Sequence, residues 1–433
     1  MASTSNGHGP QPTPPHNESK RAGGLGRYGL VPWYITFAVR HCRRESHTVP
    51  NLVRGIFRRM NGQSLKRRHF LQSALIAGGA VALNSSLPTR LLARDSDAKR
   101  NLLPVKVSRE RLIRTVVGLR PYRAGGFLVD TERLDEKLLV HNYGHGGGGI
   151  TLSWGSATLA VELAKGSGQR ECAVLGCGVI GLSTARLFQR RGGAVTIYAR
   201  DLPPETTSNI AGGFWYPTSV YDARTATPKF LEQFNQASKL ANRAFQLLVG
   251  PEYAVRWIDA YELLSGPEPQ NSPMPGGAEL YPEIQMHQDR KRYFGADNVR
   301  QFSTMLIEPH TYLNALLRDF YLAGGKLVVK ELQSREEVAQ LPEKLIFNCT
   351  GLGARKLMGD QTLSPVRGQL EILLPQPEID YCYLGTSGYM FPRRDGIVLG
   401  GTFDHDVWSL EPNPDTVNGI LQAHAELMKR MKK

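Results

Sequence analysis

The sequence predicts an α/β protein: a Rossmann-like nucleotide-binding domain joined to an α+β domain with an antiparallel sheet. Three observations predict it. An apolar strand, Cys172–Leu175, runs into Gly176-Cys-Gly-Val-Ile-Gly181, and a helix (Leu182–Arg190) and a second strand (Val195–Tyr198) follow. A second glycine-rich run, His141-Asn-Tyr-Gly-His-Gly-Gly-Gly-Gly149, lies between a short strand at 138–141 and a helix at 151–164. Near the other end, 381–383, 388–392 and 396–401 read as antiparallel strands separated by turns.

The first unit is a dinucleotide fingerprint in its proper β-α-β context. Gly176 and Gly178 allow the tight turn and the close approach of a pyrophosphate to backbone N–H groups. Gly181 lets helix and strand pack closely, and the pyrophosphate faces the positive end of the helix. The second strand ends in Ala199-Arg200-Asp201. By the simplest rule Arg200 favours the 2′-phosphate of NADP, while Asp201 can reach a ribose, so spacing alone leaves a flavin and NADP both open.

The other elements follow from periodicity and turn residues. Residues 111–117 read as a strand entering a turn at Gly118, and Lys165–Arg170 as a flexible linker. Thr206–Pro217 passes from polar to glycine-rich to aromatic, and 229–250 reads as a helix. A Pro/Gly-rich loop covers 265–278. A helix at 308–323 is capped by Gly324-Gly325. Strands are expected at 326–330 and 345–349, the latter followed by Thr350-Gly351, and a helix at 417–431.

The net charge of +14 on 433 residues invites a nucleic-acid reading, but its location argues against one. Residues 1–100 hold 16 Lys+Arg against 4 Asp+Glu, a net of +12, leaving only +2 for the rest. No basic-aromatic module accompanies the charge, so no nucleic-acid partner is expected. Within the leader, Lys66-Arg67-Arg68-His69-Phe70-Leu71 precedes a short Ala- and Gly-rich apolar run and resembles a twin-arginine export signal. The run is too short for a comfortable membrane span. An exported, periplasmic or envelope location is the expectation, with the export machinery as a partner and residues 1–59 a disordered or over-called leader. The five cysteines have no metal-ligand or disulfide spacing, and no metal is expected. Cys172, Cys177 and Cys349 read as small buried residues.

Seven strings between about 105 and 420 resemble the D-amino-acid oxidase family of flavoenzymes: GLRPYR, HNYGHGGGGITLSWG, AVLGCGVIGLSTARLF, YARDLPPETTSNIAGGFWYP, FNCTGLGA, RGQ, and GYMFP followed by LGGTF. In that family the GLRP and HNYGHGG segments close the chain and the fingerprint opens it. Here the order is reversed, which implies a circularly permuted chain with Lys165–Arg170 as the join.

The resemblance implies FAD. Its ADP half would lie on Gly176, Gly178, Val179, Ile180 and Gly181, with Arg200 and Asp201 at the ribose. Thr207, Ser208, Gly212 and Gly213 would contact the flavin side, and Thr350 and Gly351 would lie along the cofactor. Gly146, Gly147, Gly148, Gly149, Ile150 and Thr151 would face the flavin edge where reduction places negative charge, which a helix N-terminus stabilises. On the substrate side Arg120 matches the arginine that grips a substrate carboxylate, Tyr389 the tyrosine that adds a hydroxyl, and the Gly147 carbonyl would accept from the amine. Arg123 is expected to be structural. The implied reaction is hydride transfer from the Cα of a D-amino acid, with oxygen as acceptor and no side-chain base. The stretch Leu384–Gly388 implies a short, open lid, in which Tyr383 is a candidate for a missing tyrosine.

This gives an FAD-binding domain of 105–218 and 340–366, a substrate domain of 219–339 and 367–415, and a terminal helix. A related FAD dehydrogenase, a D-aspartate or glycine oxidase, an NADP-dependent dehydrogenase and a non-catalytic flavin-binding protein are the competing readings.

Overall fold

The computed structural model describes residues 102–264, 273–290, 293–386 and 388–431. In chain order the strands are β1 (Leu112–Arg123), β2 (Leu128–Leu134), β3 (Lys137–Tyr143), β4 (Glu171–Leu175), β5 (Ala194–Ala199), β6 (Val255–Leu264), β7 (Gln285–His287), β8 (Asn298–Ile307), β9 (Lys326–Val329), β10 (Leu345–Asn348), β11 (Leu363–Leu373), β12 (Tyr381–Gly385), β13 (Gly388–Arg393), β14 (Gly396–Gly400) and β15 (Asp404–His405). The helices are α1 (Gly149–Leu163), α2 (Val179–Arg190), α3 (Thr207–Ile210), α4 (Pro228–Gln246), α5 (Pro309–Leu322), α6 (Arg335–Ala339), α7 (Gly353–Leu357) and α8 (Pro414–Arg430).

Among the described residues these strands form two sheets. One has six strands in the order β2-β3-β10-β4-β5-β9. Its β3, β10, β4, β5 and β9 run parallel, with β2 antiparallel at the edge. The central strands β3, β10 and β4 are short, mostly buried runs, as a sheet covered on both faces requires. The other sheet has nine strands, β1-β11-β14-β13-β12-β6-β8-β7 with β15 on β11. It is antiparallel except where β12 pairs with β6. Its alternation divides two cores. Cys382, Phe391, Val398 and Leu370 belong to the large core shared with the parallel sheet, whereas Tyr383, Met390 and Leu399 belong to a core closed by Val417, Ile420 and Leu421 of α8.

Three expectations need correction. No turn begins at Gly118: β1 continues through it to Arg123, pairing with β11 along its length. The glycine is there for packing, because a Cβ would come 2.9 Å from Ile210 Cγ2 of α3. The segment 165–170 is not a free linker but begins as a 3-10 turn, Lys165–Ser167, closed by Gly168 at φ 67°. β1 lies in the nine-stranded sheet and β9 at the edge of the parallel one, so each sheet draws strands from separate parts of the chain. The helix expected to reach 250 ends at Gln246.

Cys172, Cys177, Cys349 and Cys382 are free and buried, and burial pushes the thiols of Cys177 and Cys349 up to about 12, as suits inert core residues. Among the described residues no helix is long and apolar enough to cross a membrane, and no group of three His, Cys, Asp or Glu side chains could hold a metal. The twin-arginine motif, Cys42 and the extension before Met60 lie outside the described residues.

Candidate active site

The parallel sheet sorts the expected cofactor residues. Four of its strands end at one edge, and each is followed by an expected segment. β3 leads into Gly144–Gly149, β10 into Thr350-Gly351, β4 into Gly176–Gly178 and β5 into Arg200-Asp201. Ligands of open α/β sheets bind outside these carboxyl ends. Only β10 separates β3 from β4, so the N-termini of α1 and α2 emerge side by side. The first N–H groups of each helix lack intrahelical acceptors and carry the positive end of the dipole.

The fingerprint turn is held by its own backbone. Gly176 has φ 101°, and a Cβ there would sit 2.7 Å from the Cys349 carbonyl. A Cβ on Gly181 would sit 2.0 Å from the Gly176 carbonyl. Gly178 is the N-cap of α2 and meets only the Ser208 hydroxyl, at 3.2 Å from a Cβ. That hydroxyl accepts from the Val179 N–H at 3.0 Å, which places Ser208 at the N-terminus of α2. Ile180 is half-buried within the first turn. Thr207, which precedes Ser208 in the chain, is exposed.

The second glycine run is crowded in a different way. A Cβ on Gly146 would lie 2.4 Å from the Ser219 carbonyl, on Gly147 3.1 Å from Ser219 Cβ, and on Gly148 2.6 Å from Val220 Cγ2. At Gly149 nothing lies within 4 Å. The run is therefore not uniformly clear: added Cβ atoms on Gly146, Gly147 and Gly148 would press on 219–220, one on Gly149 would meet nothing, and Gly147 is the exposed residue of the four. Gly147 donates its N–H to the Ser219 carbonyl at 2.9 Å. Thr151 is buried and its hydroxyl donates to the Gly148 carbonyl at 3.0 Å, while Ile150 joins the core. His145 anchors the run, stacked on Phe127 at 4.9 Å and bonded to Ser156 Oγ at 2.8 Å, and burial pushes its pKa down to about 3.

Thr350 donates its hydroxyl to Asn348 Oδ1 at 2.7 Å, and Gly351, at φ 57°, approaches Pro121 of β1. Arg200 is not offered to a phosphate. Its guanidinium lies 2.7 Å from Asp201 Oδ2 and 3.1 Å from Glu331 Oε1, two carboxylates that neutralise it. The plain-rule case for NADP therefore loses its charge.

On the nine-stranded sheet, Arg120 and Tyr389 meet at one stretch of backbone. Arg120 Nη1 donates to the Thr402 carbonyl at 3.2 Å, and its guanidinium lies 5.3 Å from the centre of the Phe403 ring. Tyr389 packs so closely on the end of β14 that a Cβ on Gly401 would lie 2.7 Å from its hydroxyl. Arg120 forms no ion pair among the described residues, whereas Arg123 is bound to Asp360 at 3.0 Å and to the Gly126 carbonyl at 2.9 Å, as a structural residue should be. Behind Tyr389 stands an aromatic stack: Tyr389 on Phe391 at 4.8 Å and Phe391 on Phe214 at 5.0 Å. Gly212 backs that stack, and Gly213, at φ 85°, lies against the Ile307 carbonyl.

Sequence reasoning missed Phe214, Phe391, Thr402 and Phe403. Phe391 carried a usable signal, because Tyr389 and Phe391 are two apart on a strand and share a face. Tyr383 cannot replace a lid tyrosine. It pairs with Met390, one position out of phase with Tyr389, and is buried on the α8 side with its hydroxyl on His424 Nδ1. The lid itself is a tight hairpin in which Gly385 pairs with Gly388.

These features fit a flavin dinucleotide: a glycine turn that excludes side chains, two adjacent helix N-termini and one open glycine. Comparison with known proteins agrees. The family model described as DAO, FAD dependent oxidoreductase, matches residues 67–163 and 171–433. The chain is 31% identical over 264 residues to D-amino-acid oxidase of Rubrobacter xylanophilus, covering 60% of this chain and 77% of that protein. It is 30% identical over 263 residues to D-amino-acid oxidase of Streptomyces coelicolor, covering 59% and 77%. It is 29% identical over 261 residues to human D-aspartate oxidase, covering 58% and 73%. Among solved structures, glycine oxidase from Bacillus cereus aligns with a TM-score of 0.47 at 14% identity, covering 61% of this chain and 79% of that one. With the fingerprint in its β-α-β setting and the family model spanning nearly all of the described residues, the chain belongs to the DAO family and is an FAD-dependent oxidoreductase.

Proposed function

We propose that this enzyme deaminates D-amino acids oxidatively, giving 2-oxo acids, ammonia and hydrogen peroxide. The observation that carries the reading is the meeting of Arg120 and Tyr389 at Gly400–Thr402, with the Arg120 charge unclaimed by any described carboxylate. The names of relatives at about 30% identity support the amino-acid substrate class and the D configuration.

Arg120 would bind the substrate carboxylate as a planar fork, and the Tyr389 hydroxyl would donate to the same group. The Gly147 carbonyl would accept from a neutral amine. The stack of Phe214, Phe391 and Tyr389 would hold the reacting carbon away from water, so the chain contributes positioning and desolvation rather than a base. Gly176–Gly181, Thr350-Gly351 and Gly146–Thr151 would hold FAD, which would supply the acceptor for the Cα hydride and a route for the electrons to oxygen. A panel of D- and L-amino acids with the FAD-loaded protein tests the reading. Peroxide from D substrates alone is expected, and no turnover of any D-amino acid would sink it. Dye reduction without peroxide would instead identify a dehydrogenase.

We also propose that the chain is permuted and exported. Support for permutation comes from the way β1 to α1 are built into both sheets although they precede the fingerprint. A chain rebuilt with 105–165 after 433 should still bind FAD, and one that cannot fold would count against the idea. Export is supported by Arg67-Arg68 before the apolar run. Replacing both by Lys should leave the protein in the cytoplasm, and unchanged export would refute the signal.

A further inference from the structure

We propose that His424 is a positioning residue for the substrate carboxylate site, acting from the opposite face of the nine-stranded sheet; the inference rests on Arg120 and Tyr389 forming that site. His424 lies on α8 and is fully buried. Its Nε2 sits 3.1 Å from the Gly400 carbonyl, and its Nδ1 faces the Tyr383 hydroxyl. A carbonyl only accepts, so Nε2 carries the proton and Nδ1 accepts from Tyr383. The tautomer is thereby fixed, and one imidazole ties β12, α8 and the end of β14 together.

Gly400 is the point where that tie reaches the site. It pairs with Tyr389 across the sheet, and a Cβ on it would lie 2.0 Å from the Tyr389 ring. Gly401 touches the Tyr389 hydroxyl side in the same way, and the next carbonyl, that of Thr402, accepts from Arg120. The backbone that His424 holds from behind is thus the backbone on which the two carboxylate-binding groups rest in front. Gly388 completes the clamp, because a Cβ there would lie 2.1 Å from the Gly400 carbonyl and 2.9 Å from His424 Nε2. Preorganisation of this kind acts on the geometry of the first contact layer without touching the ligand.

Losing the tie should therefore loosen carboxylate binding while leaving the cofactor and the chemical step in place. The test compares His424→Leu, His424→Gln and Tyr383→Phe in the full FAD-loaded protein. Benzoate, a carboxylate with no amine, is the binding probe. His424→Leu is expected to raise the benzoate Kd and the substrate KM together by about tenfold, with kcat and FAD retention changed less than about twofold. His424→Gln, which can still donate to Gly400, should restore most of the affinity. Tyr383→Phe removes the hydroxyl that holds the imidazole at Nδ1 and should weaken benzoate by about threefold; it keeps the test alive if His424→Leu does not fold. Wild-type benzoate affinity in the folded variants would overturn the proposal, as would parallel loss of FAD and benzoate. If wild-type protein ignores benzoate, or Arg120→Ala binds it equally well, the carboxylate site itself is misplaced, and this inference falls with it.

Discussion

Two glycine turns stand one strand apart, and their glycines do not all serve one purpose. At Gly176–Gly181 the crowding comes from backbone: added Cβ atoms would strike carbonyl oxygens at 2.7 Å and 2.0 Å at Gly176 and Gly181. At Gly146–Gly149 Cβ atoms on the first three would press on 219–220, whereas one on Gly149 would meet nothing within 4 Å. A fingerprint glycine is thus needed to build the turn, whereas Gly149 is needed only if something must approach it. The same residue type reports on packing in one turn and on a ligand in the other, and only the surrounding atoms tell which.

The sharpest way to break this comparison is Gly181→Ala. Its Cβ would lie 2.0 Å from backbone that cannot move aside cheaply, so a loss of about 3 kcal/mol or more in apoprotein stability is expected, with FAD binding lost too. A normal melting temperature would show the turn to be adaptable. Next is Arg120→Ala, which should lower kcat/KM by about a hundredfold or more, roughly 3 kcal/mol, while the melting temperature barely moves because Arg120 makes no ion pair among the described residues.

A pH titration separates the turns by chemistry. His145 is neutral in the folded protein down to about 3, whereas the unfolded chain protonates it near 6.5. Above that value both states are neutral and His145 adds no pH dependence. As pH falls below it the unfolded state alone takes up a proton, so stability falls by about 1.4 kcal/mol per pH unit. His424 adds the same sign from 6.5 down to about 4. Denaturant titrations of His145→Gln should show a shallower slope in this range, and an unchanged slope would deny His145 its neutral, buried state. The smallest stability effect belongs to Gly149→Ala. With nothing within 4 Å, apoprotein stability should hold or rise by a few tenths of a kcal/mol, yet FAD should bind more weakly. Unchanged FAD affinity would remove Gly149 from the cofactor site.

Much of the parallel sheet was legible because its signals are local. β4, α2 and β5 follow from an apolar run, a glycine turn and helical spacing, and β3 and α1 from the same pattern around the second turn. The long strands β6, β8 and β11 were not foreseen. β11 is buried on both faces, apart from Ser364, and shows no alternation, while charged residues such as Glu262 and Arg300 are paired across strands inside the sheet and disguise β6 and β8 as polar segments. Gly118 misled for a related reason: a glycine chosen for contact with Ile210 looks, in sequence, like one chosen for a turn. Arg120 could be picked out only by resemblance, since nothing local distinguishes it from Arg123. What separates them is long-range, an Asp360 partner for one and a bare backbone carbonyl for the other.

We propose that the two turns hold one flavin to which Arg120 presents a D-amino acid. The most direct test mixes FAD-loaded wild-type and Arg120→Ala protein anaerobically with D- and L-amino acids and follows the visible absorbance of the flavin. Rapid bleaching of the wild type by D enantiomers only is expected, and at least about a hundredfold slower bleaching, at subsaturating substrate, of the variant. Bleaching by L enantiomers alone, by no amino acid, or equally in both proteins would contradict it.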